Sequence, residues 1–192
     1  MHYYNESYNK FHNQYRVMSN DDLKINDKII SIIINHIERY TQSHMRTFIV
    51  FIGLKYPLEC LCSETNEDIQ VFMDRFKKHL AYKELDPHYV WVREQKTSEN
   101  QHYHCMLLLN GRNIRNHYGI AHEAERIWNS IVGYHGEGFV HYRQESFMLD
   151  KGSEKYMQDK EFVIYYASYL AKENTKYTLT PLRHRNVGYS HI

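Results

Sequence analysis

Apolar positions recur along this chain with two periods, and the switches between them set the order of elements. Residues 1–18 are polar, rich in Tyr and Asn, and show no clear period; they read as disordered or as a peripheral strand. Ser19 or Asn20 is placed to cap a helix, and Asp21 and Asp22 favour its positive end. Leu23, Ile29, Ile30, Ile33, Ile34 and Ile37 follow at helical spacing, predicting a helix to about Arg39. Residues 47–55 are a β-rich apolar run stopped by Pro57. In 67–85, Ile69, Phe72, Met73, Phe76 and Leu80 return to helical spacing, and Asp86-Pro87 ends it. Residues 89–95 predict a strand, 96–100 a polar loop, and 101–109 a strand closed by the turn pair Asn110-Gly111. Ile127, Trp128 and Ile131 mark a helix over 120–132, ended by Gly133, Gly136 and Gly138. A short strand at 139–143 and a helix over 154–172 complete the chain.

From residue 47 the order is β-α-β-β-α-β. This predicts an α+β fold of the ferredoxin-like, RRM-like type: an antiparallel sheet with two helices on one face. An extra N-terminal helix precedes it and a functional helix follows. The expected division is 1–42, a polar segment plus an amphipathic helix, and 43–192, the main domain.

The strand 101–109 carries the first candidate chemistry. Strand side chains alternate faces, so His102 and His104 point to one side and Tyr103 and Cys105 to the other. Two imidazoles at i and i+2 at the mouth of a buried strand make half of a metal site. In a regular hairpin with 89–95, Glu94 falls on the same face as both histidines and becomes a third candidate ligand; a one-residue bulge would break this. With 14 histidines in the chain, a pair of surface imidazoles is the plainer alternative, and for Glu94 an exposed carboxylate.

The helix 154–172 carries the second. At about 100° per residue, Val163, Tyr166, Ala167 and Leu170 share one side, while Tyr165, Ser168, Tyr169 and Lys172 share the other. Two phenols and an ammonium would then be presented together. A divalent ion can polarise a phosphoryl oxygen, a tyrosine can attack phosphorus, and a lysine offsets charge building on the phosphate. The combination is a tyrosine transesterase acting on a nucleic-acid backbone.

Composition changes this picture little. Among 192 residues the net charge is +1, so no bulk basicity advertises nucleic acid, although a local basic groove remains compatible. The 18 Tyr, 8 Phe and 2 Trp serve either a core or base stacking. Three cysteines, Cys60, Cys62 and Cys105, argue against a disulfide framework and fit free thiols in a reducing compartment. With no signal peptide and no apolar run long enough to span a bilayer, the expectation is a cytoplasmic protein without membrane contact.

His102-Tyr103-His104 followed by Cys-Met-Leu-Leu-Leu resembles the His-hydrophobic-His motif of HUH endonucleases. Tyr169-Leu-Ala-Lys172 resembles their Tyr-x-x-Lys motif, and Tyr165 with Tyr169 is similar to the two-tyrosine spacing of some bacteriophage initiators. More narrowly, Arg93-Glu94-Gln95, the histidine motif, Leu-Leu-Leu-Asn-Gly-Arg and the Tyr-Leu-Ala-Lys end resemble inovirus-type replication proteins, including prophage proteins with a YagK/YfjJ-type domain, over roughly 45–190. The resemblance implies that His102, His104 and Glu94 hold Mg²⁺ or Mn²⁺. It implies Tyr169 as the nucleophile, with Tyr165 and Tyr166 competing for that role, and Lys172 as its assistant. It implies nicking and rejoining of single-stranded DNA through a 5′-phosphotyrosine at a replication origin in a bacterial host. No Walker-type phosphate loop is present, so unwinding and synthesis would fall to host helicase and polymerase. Two other readings stand beside it: a non-enzymatic single-strand nucleic-acid binder that uses its tyrosines as stacking platforms, and a relaxase or transposase of the same chemistry.

Overall fold

The computed structural model describes residues 4–5, 7–8, 10–57, 65–95, 100–114, 116–133, 140–173 and 185–191, without the side chains of 142–145. A two-stranded ribbon, β1 (Phe11–His12) and β2 (Tyr15–Arg16), opens the chain. Then come α1 (Asp27–Ser43), β3 (Arg46–Leu54), α2 (Glu67–Tyr82), β4 (His88–Glu94), β5 (His102–Asn110), α3 (Tyr118–Val132), β6 (Val140–Asp150), α4 (Tyr156–Ala167), a 3₁₀ turn (Ser168–Ala171) and β7 (Val187–Tyr189). The β-α-β-β-α-β order holds from β3 to β6. The main sheet runs β6-β3-β5-β4-β7 and every pairing in it is antiparallel. The histidine strand β5 therefore lies at its centre.

Alternation along the strands builds two cores. Phe48, Val50, Ile52, Leu54, Trp91, Tyr103, Cys105, Leu107 and Leu109 face α2 and α3. Ile49, Phe51, Val90, Val92, Met106, Leu108, Phe147 and Leu149 face α1 and α4. Both faces of the sheet are thus covered by helices, and residues before and after position 43 share one of the two cores.

Three boundaries and one added element differ from the sequence reading. The cap of α1 is Asn26, whose side chain accepts from the Ile29 N–H at 3.0 Å. Ser19 and Asn20 use the same chemistry to close a turn instead: Asn20 Oδ1 accepts from Asp22 and Leu23, and Ser19 Oγ donates to the Leu23 carbonyl. β6 runs on to Asp150, well past residue 143, because Phe147 and Leu149 alternate into the core after a polar interruption. α4 starts later and tightens into the 3₁₀ turn before Lys172. β7 had no counterpart among the expected elements. It pairs with β4 through Gly188, where a Cβ would clash with Cζ2 of the Trp91 ring. Cys60, Cys62, the loop 96–99 and the glycines at 136 and 138 lie outside the described residues. No helix among the described residues is long and apolar enough to cross a membrane.

Candidate metal centre and tyrosine turn

The hairpin of β4 and β5 keeps one register without a break, from His88 opposite Leu108 to Glu94 opposite His102. The bulge that would have separated the three side chains is absent from this pair. Glu94 and both histidines stand on the same face at the open end of the strands. His102 Nε2 and His104 Nε2 each lie 3.4 Å from Glu94 Oε2. One ligand atom from each of the three residues falls within 4.8 Å of the other two. The rings of His102 and His104 meet edge to face, 5.2 Å apart. Glu94 is only 2% exposed, a burial that a carboxylate tolerates when it faces cations or donors.

Burial lowers the pKa of His104, and the neighbouring His102 and Lys172 push the same way against the pull of Glu94. The ring is therefore held neutral, the form that binds metal. Two imidazoles and one carboxylate on one face fit a divalent ion. The donor set, the mutual spacing and the near-complete burial of the carboxylate all agree with that use.

Lys172 joins the cluster from the far end of the chain. Its Nζ lies 3.7 Å from the same Glu94 Oε2 and donates to the Tyr169 hydroxyl at 2.6 Å. It also sits 3.9 Å above the Tyr169 ring. The 3₁₀ turn explains this contact. At three residues per turn, positions i and i+3 eclipse, so Tyr169 and Lys172 stack along one edge.

Tyr165 is where the expectation of two presented phenols fails. It is 1% exposed, its ring packs edge to face on Tyr4, and its hydroxyl accepts from the Asn5 N–H at 3.1 Å. The change from α to 3₁₀ winding rotates Tyr169 out of the column that an unbroken helix would share with Tyr165. Tyr166 is core, packed on Phe51 and Phe147 with ring centroids 5.0 Å away in each case.

The turn is held from outside by a strap that sequence reasoning missed. The Met18 N–H donates to Ser168 Oγ at 2.8 Å, and that hydroxyl donates to the Tyr165 carbonyl at 2.6 Å. The Asn26 N–H donates to the Ala171 carbonyl and the Glu173 N–H to the Lys24 carbonyl, at 2.7 and 2.8 Å, flanking a bridge between Ile25 and Lys172. Most of these partners are backbone groups, which leave no residue-type signature.

A pocket of about 170 Å³ lies beside the cluster, lined among others by His102, His104, Tyr169, Phe51, Gly53 and His141. Burial, and then the nearby Lys55, lower the pKa of His141 at its rim.

The model of the YagK/YfjJ C-terminal domain matches residues 7–190. This chain belongs to that family. The match to this YagK/YfjJ domain takes in the strap and α1 as well as the sheet. No curated protein and no solved structure matches the chain.

Proposed function

We propose that this YagK/YfjJ domain is a metal-dependent HUH tyrosine endonuclease that nicks and rejoins single-stranded DNA at a replication origin and so starts rolling-circle replication. The observation that carries the reading is the convergence on Glu94 Oε2. The carboxylate meets two imidazoles on one side and, on the other, an ammonium bonded to the Tyr169 hydroxyl. One hairpin and a turn about 70 residues further along the chain meet at one oxygen.

His102, His104 and Glu94 would hold Mg²⁺ or Mn²⁺, which supplies Lewis acidity toward a phosphoryl oxygen. Tyr169 is the nucleophile. Its oxygen forms the bond to phosphorus as the bond to the 3′ oxygen breaks, and the phenol proton ends on that 3′ oxygen. The products are a 5′-phosphotyrosine and a free 3′-hydroxyl. An ester replaces an ester, so the step reverses when a 3′-hydroxyl attacks the phosphotyrosine. Lys172, donating to the Tyr169 oxygen, favours the phenolate as it forms. Glu94 holds that ammonium in place beside the phenol.

The inovirus-type motifs favour a phage or prophage replication protein in the bacterial cytoplasm, working with host helicase and polymerase. The same geometry serves a relaxase or transposase. A purely stacking RRM-like binder has less support, because helices cover both sheet faces where such a module presents its aromatics. The test is incubation with single-stranded origin fragments and Mn²⁺. A covalent protein–DNA band is expected that disappears in chelator and in Tyr169→Phe; a band that persists in chelator removes the metal from the mechanism.

A further inference from the structure

From Phe48 to Leu54, β3 is a run of large apolar residues with one exception, Gly53, between β5 and β6 in the sheet. A glycine there costs stability through backbone entropy and lost packing. The usual reasons for accepting that cost do not apply. Its φ is outside the left-handed region, and the register shift between β3 and β6 falls earlier, between Val50 and Ile52. No atom forbids a side chain either. A Cβ would meet the His141 carbonyl oxygen at 3.5 Å, His104 Nδ1 at 3.7 Å and His141 Cβ at 3.8 Å, all ordinary contacts. The strand could therefore hold alanine. What glycine preserves is space, on the face that carries His104 and directly between His104 and His141.

That space is the floor of the pocket beside the metal cluster. Phe51, Tyr166 and Leu170 form an apolar wall, and Lys55 and His141 bring polar groups to it. Tyr169 shares the same pocket. Its volume of about 170 Å³ is well below the roughly 300 Å³ at which sites for drug-sized ligands begin, and suits one flat heterocycle. A phosphate held between the cluster and Tyr169 carries a nucleotide on each side, and the sugar of either one reaches only a few ångströms.

We propose that this pocket is a nucleobase subsite: the base of a nucleotide adjoining the scissile phosphate leaves the strand and inserts over Gly53, against Phe51 and Tyr166. The inference rests on the tyrosine-nicking reading and adds the group by which the cut is positioned. Aromatic faces give the base stacking, which every base accepts. His141 and Lys55 offer hydrogen-bonding groups to its edge, so the site selects among bases as well as holding one.

The test is a cycle that combines one change in the protein with one in the DNA. Wild type, Gly53→Ala and Gly53→Leu are each presented, with Mn²⁺, with a randomised single-stranded oligonucleotide, and the covalently trapped strands are sequenced. The preferred oligonucleotide is then remade with an abasic residue on either side of the cut. In the wild type, one base is expected to dominate at one flanking position, and its removal should slow adduct formation about tenfold or more. Gly53→Leu fills the pocket, so it should start slower by a similar factor, lose the base preference and no longer respond to the abasic residue. Gly53→Ala, which the fold accommodates, should fall between them. Unchanged Mn²⁺ affinity in both variants separates a filled pocket from a damaged cluster. If the abasic penalty is the same in Gly53→Leu as in wild type, the base does not sit over Gly53 and the subsite is wrong. If the wild type forms no adduct with any strand, the nicking reading itself fails, and the subsite with it.

Discussion

At the scale of single residues, the two ends of the candidate site differ in how they respond to change. Glu94 is shared by both. Replacing it with Gln keeps the shape but removes the charge that faces His102, His104 and Lys172. Mn²⁺ binding, measured by titration calorimetry, is expected to weaken by a hundredfold or so, since loss of a direct ligand should exceed the roughly 10–100-fold seen for supporting groups. The phenols are predicted to separate cleanly. Mass spectrometry of trapped adducts should place DNA on Tyr169, and Tyr165→Phe should keep that adduct. Its cost is an acceptor lost to the Asn5 N–H, about 1 kcal/mol of stability. DNA found on Tyr165 would mean that α4 unwinds from its core position before reaction, and that the buried arrangement is a resting state.

The scale of whole elements shows why some of this was legible in the sequence and some was not. The metal cluster depends on strand parity alone. In an antiparallel hairpin whose register sets Glu94 opposite His102, the even separation puts Glu94, His102 and His104 on one face; a bulge or a one-residue slip would spoil it, and the register holds, so pattern reasoning reaches the correct geometry. The tyrosine turn depends on winding. A projection at 100° per residue pairs Tyr165 with Tyr169, and a change to 3₁₀ over four residues undoes that pairing while creating the Tyr169–Lys172 stack. Nothing in Tyr-Tyr-Ala-Ser-Tyr-Leu-Ala-Lys announces the change, and the groups that bond to the turn from outside belong to residues 18–26. Asn26 illustrates the difficulty: its side chain caps α1 while its backbone holds Ala171. The strap leads to a prediction at this scale. Ser168→Ala removes the acceptor of the Met18 N–H and a donor to the Tyr165 carbonyl. Leaving these groups unmatched should cost about 1–3 kcal/mol in thermal unfolding. Adduct formation should slow while Mn²⁺ affinity stays unchanged, and Ser168→Thr should restore the rate. Equal adduct rates in Ser168→Ala and wild type would show that the turn holds its shape without the strap.

For the whole molecule, covering both faces of one sheet places several phenols where water cannot solvate a phenolate. Burial raises the Tyr103 pKa to about 12, with only partial relief from the Arg93 charge and neighbouring hydrogen bonds. Tyr40 and Tyr56 are pushed higher still, first by burial and then by nearby acidic groups or phenols. Their place in the fold is structural: Tyr40 donates to the Asp86 carbonyl behind α1, and Tyr56 donates to Asp68 on α2. The sign follows from linkage. In the unfolded chain a phenol loses its proton near pH 10, whereas the folded chain keeps these three protonated. The folded state therefore binds more protons in that range, and stability must fall as pH rises. For Tyr103 the loss begins near pH 10 and is complete as pH passes about 12, amounting to roughly 3 kcal/mol from that group alone. Denaturant unfolding monitored between neutral pH and pH 12 should show this as a steep alkaline decline. Tyr103→Phe loses the hydrogen bond to Asn66 Oδ1 and is less stable at neutral pH, but it no longer carries that titration. Its stability curve should be flatter above pH 10, and the two proteins should converge there. Parallel curves across that range would mean that Tyr103 ionises in the folded state, which its burial between β4, α2 and α3 does not allow without opening the core that supports the histidine strand.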